Sequence, residues 1–366
     1  MSTVWLIDLE SVETRYTKEW KTYLPKLLKK HGHTVNVVEG PKDIPNATTP
    51  GAFLNFGGTN IYKAKQVELI SRAFTSGAVK DGDHFLFTDA WHPGIINLKY
   101  MAELLGVKII THALWHAGSY DPEDFLGRLI GNSPWVRNAE KSFFHAYDHN
   151  YFASEFHVRL FFDELLNDGR KEHNPLYEET WKARYDNGKI VRCGWPMSYV
   201  KDELTPYVGM EKKNIILFPH RVAPEKQPEI FRDLKESLTQ YEFVIAMERN
   251  LQKKEYYNLL GESKLVFSAN LQETLGISWY EGSVVGTLPM VPDRLSYSEM
   301  ENTGKFLYPS EWTESFDSYK NNKDKVIERI VDYMENYDKH LVNLNKLTNH
   351  LNENYFSCNN LLERLQ

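Results

Sequence analysis

The feature that most constrains this chain is a strand–helix alternation that runs twice, with a looser stretch between the two runs. In the first run the spacing predicts strands over Val4–Leu9, Thr34–Val38, Ala52–Phe56, His84–Thr88, Val107–Ala113 and Asn150–Ser154. Between them it predicts helices over Trp20–Lys30, Ile61–Phe74 and Ile95–Leu105, and a further helix through Leu166. In the first of these, Trp20, Tyr23, Leu24, Leu27 and Leu28 recur at helical spacing. The pattern loosens from 168 to 206, where polar runs, Pro175 and Cys193-Gly194-Trp195-Pro196 mark a connector or domain boundary. It then restarts, with strands at Asn214–Phe218, Glu242–Ala246, Leu265–Ser268 and Leu288–Val291 and helices at Pro228–Leu238, Leu251–Leu260 and Ile277–Val285. Apolar, β-branched strands separated by helices call for parallel sheets covered on both faces. The expectation is two α/β domains, 1–200 and 201–345, followed by a polar helical tail within Ser315–Gln366.

Composition narrows the function classes. A length of 366 residues suits two cores, and 42% hydrophobic with 25% charged residues excludes a disordered or collagen-like chain. No window approaches the ~20 apolar residues of a membrane span. Asp8 interrupts the only N-terminal apolar run before it reaches signal-peptide length. The two cysteines, Cys193 and Cys358, offer neither metal spacing nor a disulfide framework, so a soluble cytoplasmic protein is expected. The net charge of −7 argues against a globally basic nucleic-acid coat. Its distribution is uneven: residues 1–200 hold 23 Lys+Arg against 24 Asp+Glu, and 201–366 hold 20 against 26. The first part also carries ten of the thirteen histidines and seven of the nine tryptophans, which suggests two domains with different ligands.

Ligands of open α/β sheets sit outside the carboxyl ends of the strands. Two such ends in the second run carry chemistry. In Phe218-Pro219-His220-Arg221-Val222-Ala223-Pro224-Glu225-Lys226, a strand runs out into two cations suited to clamping a diphosphate. In Ser268-Ala269-Asn270-Leu271-Gln272-Glu273-Thr274-Leu275-Gly276-Ile277, a strand ends in a loop that opens a helix carrying Glu281. The first-turn amides of that helix attract an anion, and Gly276 permits close approach of a phosphate to the backbone. Taken singly, Glu273 reads equally as a helix-start charge, Glu281 as a solvated helix residue, and Arg221 and Lys226 as surface cations.

Taken together, Arg-x4-Lys followed some fifty residues later by Glu-x7-Glu with an internal Gly resembles the retaining glycosyltransferases of family 4. Gly286 and Pro289 match the Gly-x-Pro turn into the next strand. Two positions depart from the pattern: His220 replaces the usual Gly before Arg221, and Leu275 stands where an aromatic residue is usual. The resemblance implies a GT-B fold, two Rossmann-like domains facing a cleft, with the segment 346–366 returning to the first domain. It implies a nucleotide-sugar donor, expected to be a UDP-sugar, as co-substrate, with no cofactor and no metal. Arg221 and Lys226 would neutralise the diphosphate, Glu273 would bind hydroxyls of the donor sugar, and Glu281 the ribose. Thr274, Leu275, Gly276 and Ile277 would line the donor, with Gly57 and Gly58 from the first domain.

The first domain is expected to carry the acceptor. Its strand-end loops hold Phe56-Gly57-Gly58-Thr59-Asn60, Thr88-Asp89-Ala90-Trp91-His92-Pro93 and Leu114-Trp115-His116-Ala117-Gly118-Ser119-Tyr120-Asp121. A His after this strand is frequent in family 4 near the reacting centre of the donor sugar, and His116 is the match. Asp89, Trp91, His92, Trp115 and Tyr120 are the acceptor-binding candidates; each also reads as a core or loop residue. The two loops around Trp91 and Trp115, considered with Asp8-Leu9-Glu10 and Glu13-Thr14-Arg15-Tyr16, resemble glycosyltransferases of tailed bacteriophages. That resemblance implies a hydroxylated or hydroxymethylated cytosine in DNA as acceptor, aromatic side chains stacking on an extruded base, and the host cytoplasm as the compartment. The alternatives are a polysaccharide, lipid or small-molecule acceptor, or a non-catalytic nucleotide-sugar-binding protein.

Overall fold

The computed structural model describes residues 2–10, 16–45, 47, 54–167 and 187–366. The chain divides into two compact units, the first of Met1–Ala153, His157–Cys193 and Asn359–Gln366, the second of Ser154–Phe156 and Gly194–Cys358.

The first unit is built on β1 (Thr3–Ile7), β2 (Thr34–Val38), β3 (His84–Phe87), β4 (Ile110–Leu114), β5 (His149–Phe152) and β6 (Ile190–Arg192). All neighbours are parallel, in the order β2-β1-β3-β4-β5-β6. The central strands are largely apolar and covered on both faces, with Val4, Leu6 and Ile7 of β1, Phe85, Leu86 and Phe87 of β3 and Phe152 of β5 all buried. Helices α1 (Thr17–Lys30), α2 (Phe56–Thr75), α3 (Gly94–Leu105), α4 (Phe125–Ile130), α5 (Pro134–Ala146) and α6 (Glu155–Phe161) accompany it. In α1 the buried stripe is Trp20, Leu24 and Leu28, with Lys18, Lys29 and Lys30 exposed. The direction of winding reverses between β1 and β3, which makes their carboxyl ends the natural crevice of this sheet.

One expected strand end is not found. Phe56 does not end a strand; it opens α2, because Asn55 caps the helix by accepting from the Gly58 amide at 2.8 Å. Asn-Phe-Gly-Gly disguises that start, since glycine is a poor helix former. Ala52 and Phe53 lie outside the described residues, as do Glu13, Thr14, Arg15 and the stretch 168–186. The rest of the stretch expected to be a connector or domain boundary contains the change of unit at Cys193–Gly194, and it also supplies regular structure, β6 and then α7 (Tyr199–Leu204). A three-residue strand is too short to show a period. Helices α4 and α5 were also absent from the expected pattern.

The second unit holds β7 (Lys213–Phe218), α8 (Pro228–Ser237), β8 (Glu242–Ile245), α9 (Lys253–Glu262), β9 (Ser263–Phe267), α10 (Ile277–Val284), β10 (Leu288–Pro292), α11 (Tyr297–Met300) and β11 (Leu307–Tyr308). Its sheet is parallel, in the order β11-β10-β9-β7-β8. Helices α12 (Phe316–Glu335) and α13 (Tyr337–Asn354) complete this unit, and α14 (Asn359–Arg364) belongs to the first. Tyr280 of α10 stacks on Phe356 at 3.8 Å and donates to Asn352 Oδ1 at 3.0 Å, which ties α10 to the end of the tail. No helix among the described residues is long and apolar enough to cross a membrane.

Candidate functional site

At the carboxyl edge of the second sheet the two sequence segments lie side by side because β7 and β9 are neighbours. Past β7 the chain passes His220 and Arg221, makes a single turn at Pro224–Lys226 and enters α8 through Gln227, whose φ is +49°. That left-handed conformation is uncommon for a residue with a side chain. It is held by the buried Gln227 amide, which donates to the carbonyls of Ala269 and Thr313 at 2.7 Å each. Lys226 is buried, and its ammonium donates to the Gln272 carbonyl, lies 3.3 Å from Gln272 Oε1 and pairs with Glu273 Oε2 at 3.5 Å. Arg221 is more open and pairs with Glu225 Oε1 at 2.9 Å. Glu225 in turn accepts the Leu271 amide on its backbone carbonyl at 2.8 Å.

The loop after β9 is shaped by its glycine. Gly276 has φ +79° at the start of α10, and a Cβ there would stand 2.7 Å from Trp279 Cδ1. Leu275 is buried, and its carbonyl accepts from Trp279 Nε1 at 3.3 Å. The Thr274 carbonyl accepts from Ser154 Oγ at 2.7 Å. Ile277 is the first residue of α10 and is half-buried. Glu281, one turn further on, accepts from Tyr256 of α9 at 3.2 Å. Burial, then the Glu281 carboxylate, pushes the Tyr256 phenol up, so it stays a donor. Arg221, Lys226, Glu273, Thr274, Leu275, Gly276 and Ile277 therefore gather at one sheet edge, with Glu281 a turn along the helix.

At the carboxyl edge of the first sheet the candidates are more deeply tied. His92 is buried, accepts the Gly94 amide on Nδ1 and donates from Nε2 to Gln66 Oε1, both at 3.1 Å. Burial holds its pKa at about 3, so it is neutral. The Gln66 amide donates to the Asp8 carbonyl, Asp8 Oδ1 and the Val38 carbonyl, and Tyr62 donates to Asp8 Oδ1 at 2.7 Å. Burial pushes the Asp8 carboxyl up to about 7 against the pull of Tyr62 and Lys21. Trp115 and Tyr120 are core residues: Trp115 donates to Asn150 Oδ1 at 2.8 Å, and Tyr120 donates to the His116 carbonyl at 2.7 Å. His116 bonds the Thr88 carbonyl through Nε2 at 2.7 Å and the Tyr16 hydroxyl through Nδ1 at 2.5 Å.

Asp89 and Trp91 are half-buried. Lys63 of α2 binds Asp89 Oδ2 at 2.9 Å and the Trp91 carbonyl at 2.5 Å. Burial would raise the Asp89 pKa, but the charges of Lys63 and His116 outweigh it and hold the carboxyl well below the usual range. Trp91 Nε1 donates to Glu140 of α5 at 3.0 Å. Gly57 and Gly58 form the first turn of α2, and Gly58 packs so closely that a Cβ would stand 2.2 Å from the Pro45 carbonyl oxygen. Glu10, just past β1, keeps both carboxylate oxygens enclosed without a hydrogen-bond partner among the described residues.

The structure adds residues that spacing did not reveal. Arg294, past β10, donates to the carbonyls of Asn270 at 2.7 Å and Ala269 at 2.8 Å and so braces the Glu273 loop. Lys63, Glu140 and Gln227 do similar work. None lies in a motif, and only the fold brings each to its partner. Among the described residues no group of three or more His, Cys, Asp or Glu side chains is arranged to hold a metal ion.

No family model and no curated protein matches the sequence. Solved structures do match its fold. Sucrose-phosphate synthase from Thermosynechococcus elongatus is 10% identical with a TM-score of 0.58, over 100% of this chain and 97% of that one. The catalytic domain of starch synthase IV from Arabidopsis thaliana, bound to ADP and acarbose, is 11% identical at 0.57, over 99% and 97%. An α-glucosyltransferase in complex with UDP and a 13-mer DNA containing a central A:G mismatch is 12% identical at 0.56, over 100% of both chains. At such identities the likeness speaks for the fold, and the fold of this chain is α/β of the GT-B class with a helical C-terminal stretch.

Proposed function

We propose that this protein is a metal-independent, retaining glycosyltransferase that takes a UDP-sugar as donor. The observation that carries the reading is the meeting of Arg221, Lys226, Glu273 and Gly276 at the carboxyl edge of β7 and β9, where Lys226 and Glu273 lie 3.5 Å apart. In this reading Arg221 and Lys226 stabilise the diphosphate as its charge develops on departure of the sugar. A buried lysine already held among carbonyls needs little reorganisation to do so. Glu273 binds hydroxyls of the sugar, and Glu281 those of the ribose. The fold it shares with nucleotide-bound glycosyltransferases supports this assignment.

The acceptor in this reading is a hydroxylated or hydroxymethylated cytosine of DNA, in the cytoplasm of an infected host. The similarity to an α-glucosyltransferase bound to DNA supports it, as does a half-buried indole, Trp91, whose backbone amide donates to Asp89 at the strand ends of the first unit. A polysaccharide or small-molecule acceptor is the rival, in line with the likeness to starch synthase. The test is a thermal-shift screen of nucleotide sugars, followed by transfer assays on hydroxymethylcytosine DNA, unmodified DNA and glucans. A donor that binds only the native state must raise the melting point. Absence of any shift removes the donor assignment, and transfer to glucan alone removes the DNA acceptor.

A further inference from the structure

Three polar atoms at the carboxyl edge of the second sheet are left without a role by the residues above. His220 Nε2, Asn270 Oδ1 and Ser296 Oγ are enclosed and have no hydrogen-bond partner among the described residues. Their residues are 6%, 0% and 0% exposed. Each follows a different strand, His220 after β7, Asn270 after β9 and Ser296 after β10, and these three strands are adjacent in the sheet. Native proteins satisfy nearly all such atoms, because an unsatisfied one forfeits its bonds to water with nothing in return. Three at one end of one sheet mark a place where a polar ligand completes the bonding.

His220 is the most telling of the three. Its ring stands edge-on to Phe218, with centroids 5.1 Å apart and planes at 86°, so packing fixes its orientation. It lies beside Lys226; burial, helped by that ammonium, keeps it in the neutral form. A neutral imidazole offers an N–H to an anion without adding a second buried charge. It also occupies the position where the resembling pattern has glycine, and therefore no side chain to bind anything. Asn270 is held through its other amide atom, which donates to Tyr297 at 2.9 Å, and the loop around it is braced by Arg294.

Resting on the nucleotide-sugar reading, we propose that His220 binds a phosphate oxygen of the donor through its Nε2–H. It thereby adds a side-chain donor to Arg221 and Lys226, with Asn270 and Ser296 completing the polar lining.

The test measures equilibrium binding of UDP, UDP-glucose and ADP-glucose to the full chain and its variants. His220→Phe keeps a planar ring against Phe218 and removes the N–H, His220→Gln restores an N–H, and His220→Gly restores the resembling pattern. Loss of one hydrogen bond to a charged oxygen predicts binding weakened on the order of ten- to a hundred-fold in His220→Phe, with His220→Gln recovering part of it. The melting point of ligand-free His220→Phe should equal or exceed that of the parent, because an unsatisfied buried nitrogen is gone. Parental affinity in His220→Phe and His220→Gly overturns the proposal. So does weak binding accompanied by a lower ligand-free melting point in both His220→Phe and His220→Gln, which marks a packing role. The Arg221→Ala, Lys226→Ala double variant separates the two levels of argument. If it binds the probes as the parent does, or if the parent binds none, the donor reading fails and takes this assignment with it. If it alone loses binding while the His220 variants do not, only the His220 assignment falls.

Discussion

The candidate residues at the carboxyl edges of the two sheets differ in how far they bond to one another. In the first unit the candidates close on one another, His92 to Gln66, Gln66 and Tyr62 to Asp8, Lys63 to Asp89, and His116 to Thr88 and Tyr16, and the enclosed Glu10 carboxylate beside them has no hydrogen-bond partner among the described residues. In the second, Lys226 and Arg221 are anchored at one side, while His220, Asn270 and Ser296 each present an atom without a partner among the described residues. A network whose donors and acceptors are matched rigidifies its loops; an edge that leaves them unmatched has bonding capacity for a ligand. The same kinds of residue at the same topological place therefore have different meanings, and a histidine after a strand is not evidence of a ligand until its nitrogens have been accounted for.

The largest effect that bears on this contrast is expected from Glu273→Ala. Its carboxylate has one protein cation as partner, so turnover should fall on the order of a hundred-fold or more while the fold survives, as the loss of a charged hydrogen bond in the transition state requires. Transfer assays and a melting curve on the same preparation check it, and wild-type turnover would refute the donor-side assignment.

Gly58→Ala probes the first edge as structure. A Cβ at 2.2 Å from the backbone oxygen of Pro45 forces the loop before α2 to move, for a loss on the order of 1–3 kcal/mol in denaturant unfolding. A neutral outcome would mean that this edge is looser than its bonding suggests.

Smaller and pH-dependent is Asp8→Asn. The Asp8 carboxyl has its folded pKa raised from 3.8 to about 7, so the fold favours the protonated form. Its contribution to stability is complete below about pH 4 and is lost as pH rises through about 7. Asparagine keeps the acceptor for Tyr62 without the charge. The stability of the variant relative to the parent should rise between pH 4 and 7, and parallel pH profiles of the two would contradict the buried-acid description.

Much of the second edge was legible beforehand because it is local. Arg221 and Lys226 share one loop, Glu273 and Gly276 share another with Glu281 one turn into the helix it opens, and a parallel sheet brings strand-end loops to a common end. The first edge was less legible. His92 and Trp115 have the residue types of a site, but their partners Gln66 and Asn150 lie 26 and 35 positions away. Asn55-Phe56-Gly57-Gly58 read as a strand end followed by a turn, since the capping bond that makes it a helix start depends on backbone geometry.

The double strand–helix alternation by itself determined that this chain forms two parallel α/β sheets, because apolar strands separated by amphipathic helices can bury both faces in no simpler way. Only the tertiary structure decided which strand-end residues are matched. Hydrogen-bond satisfaction is a property of groups distant in the chain and close in space, so the pairing of His92 with Gln66, the bracing of Asn270 by Arg294 and the solitary nitrogen of His220 emerge once β1, β3, β7, β9 and β10 are set beside their neighbours.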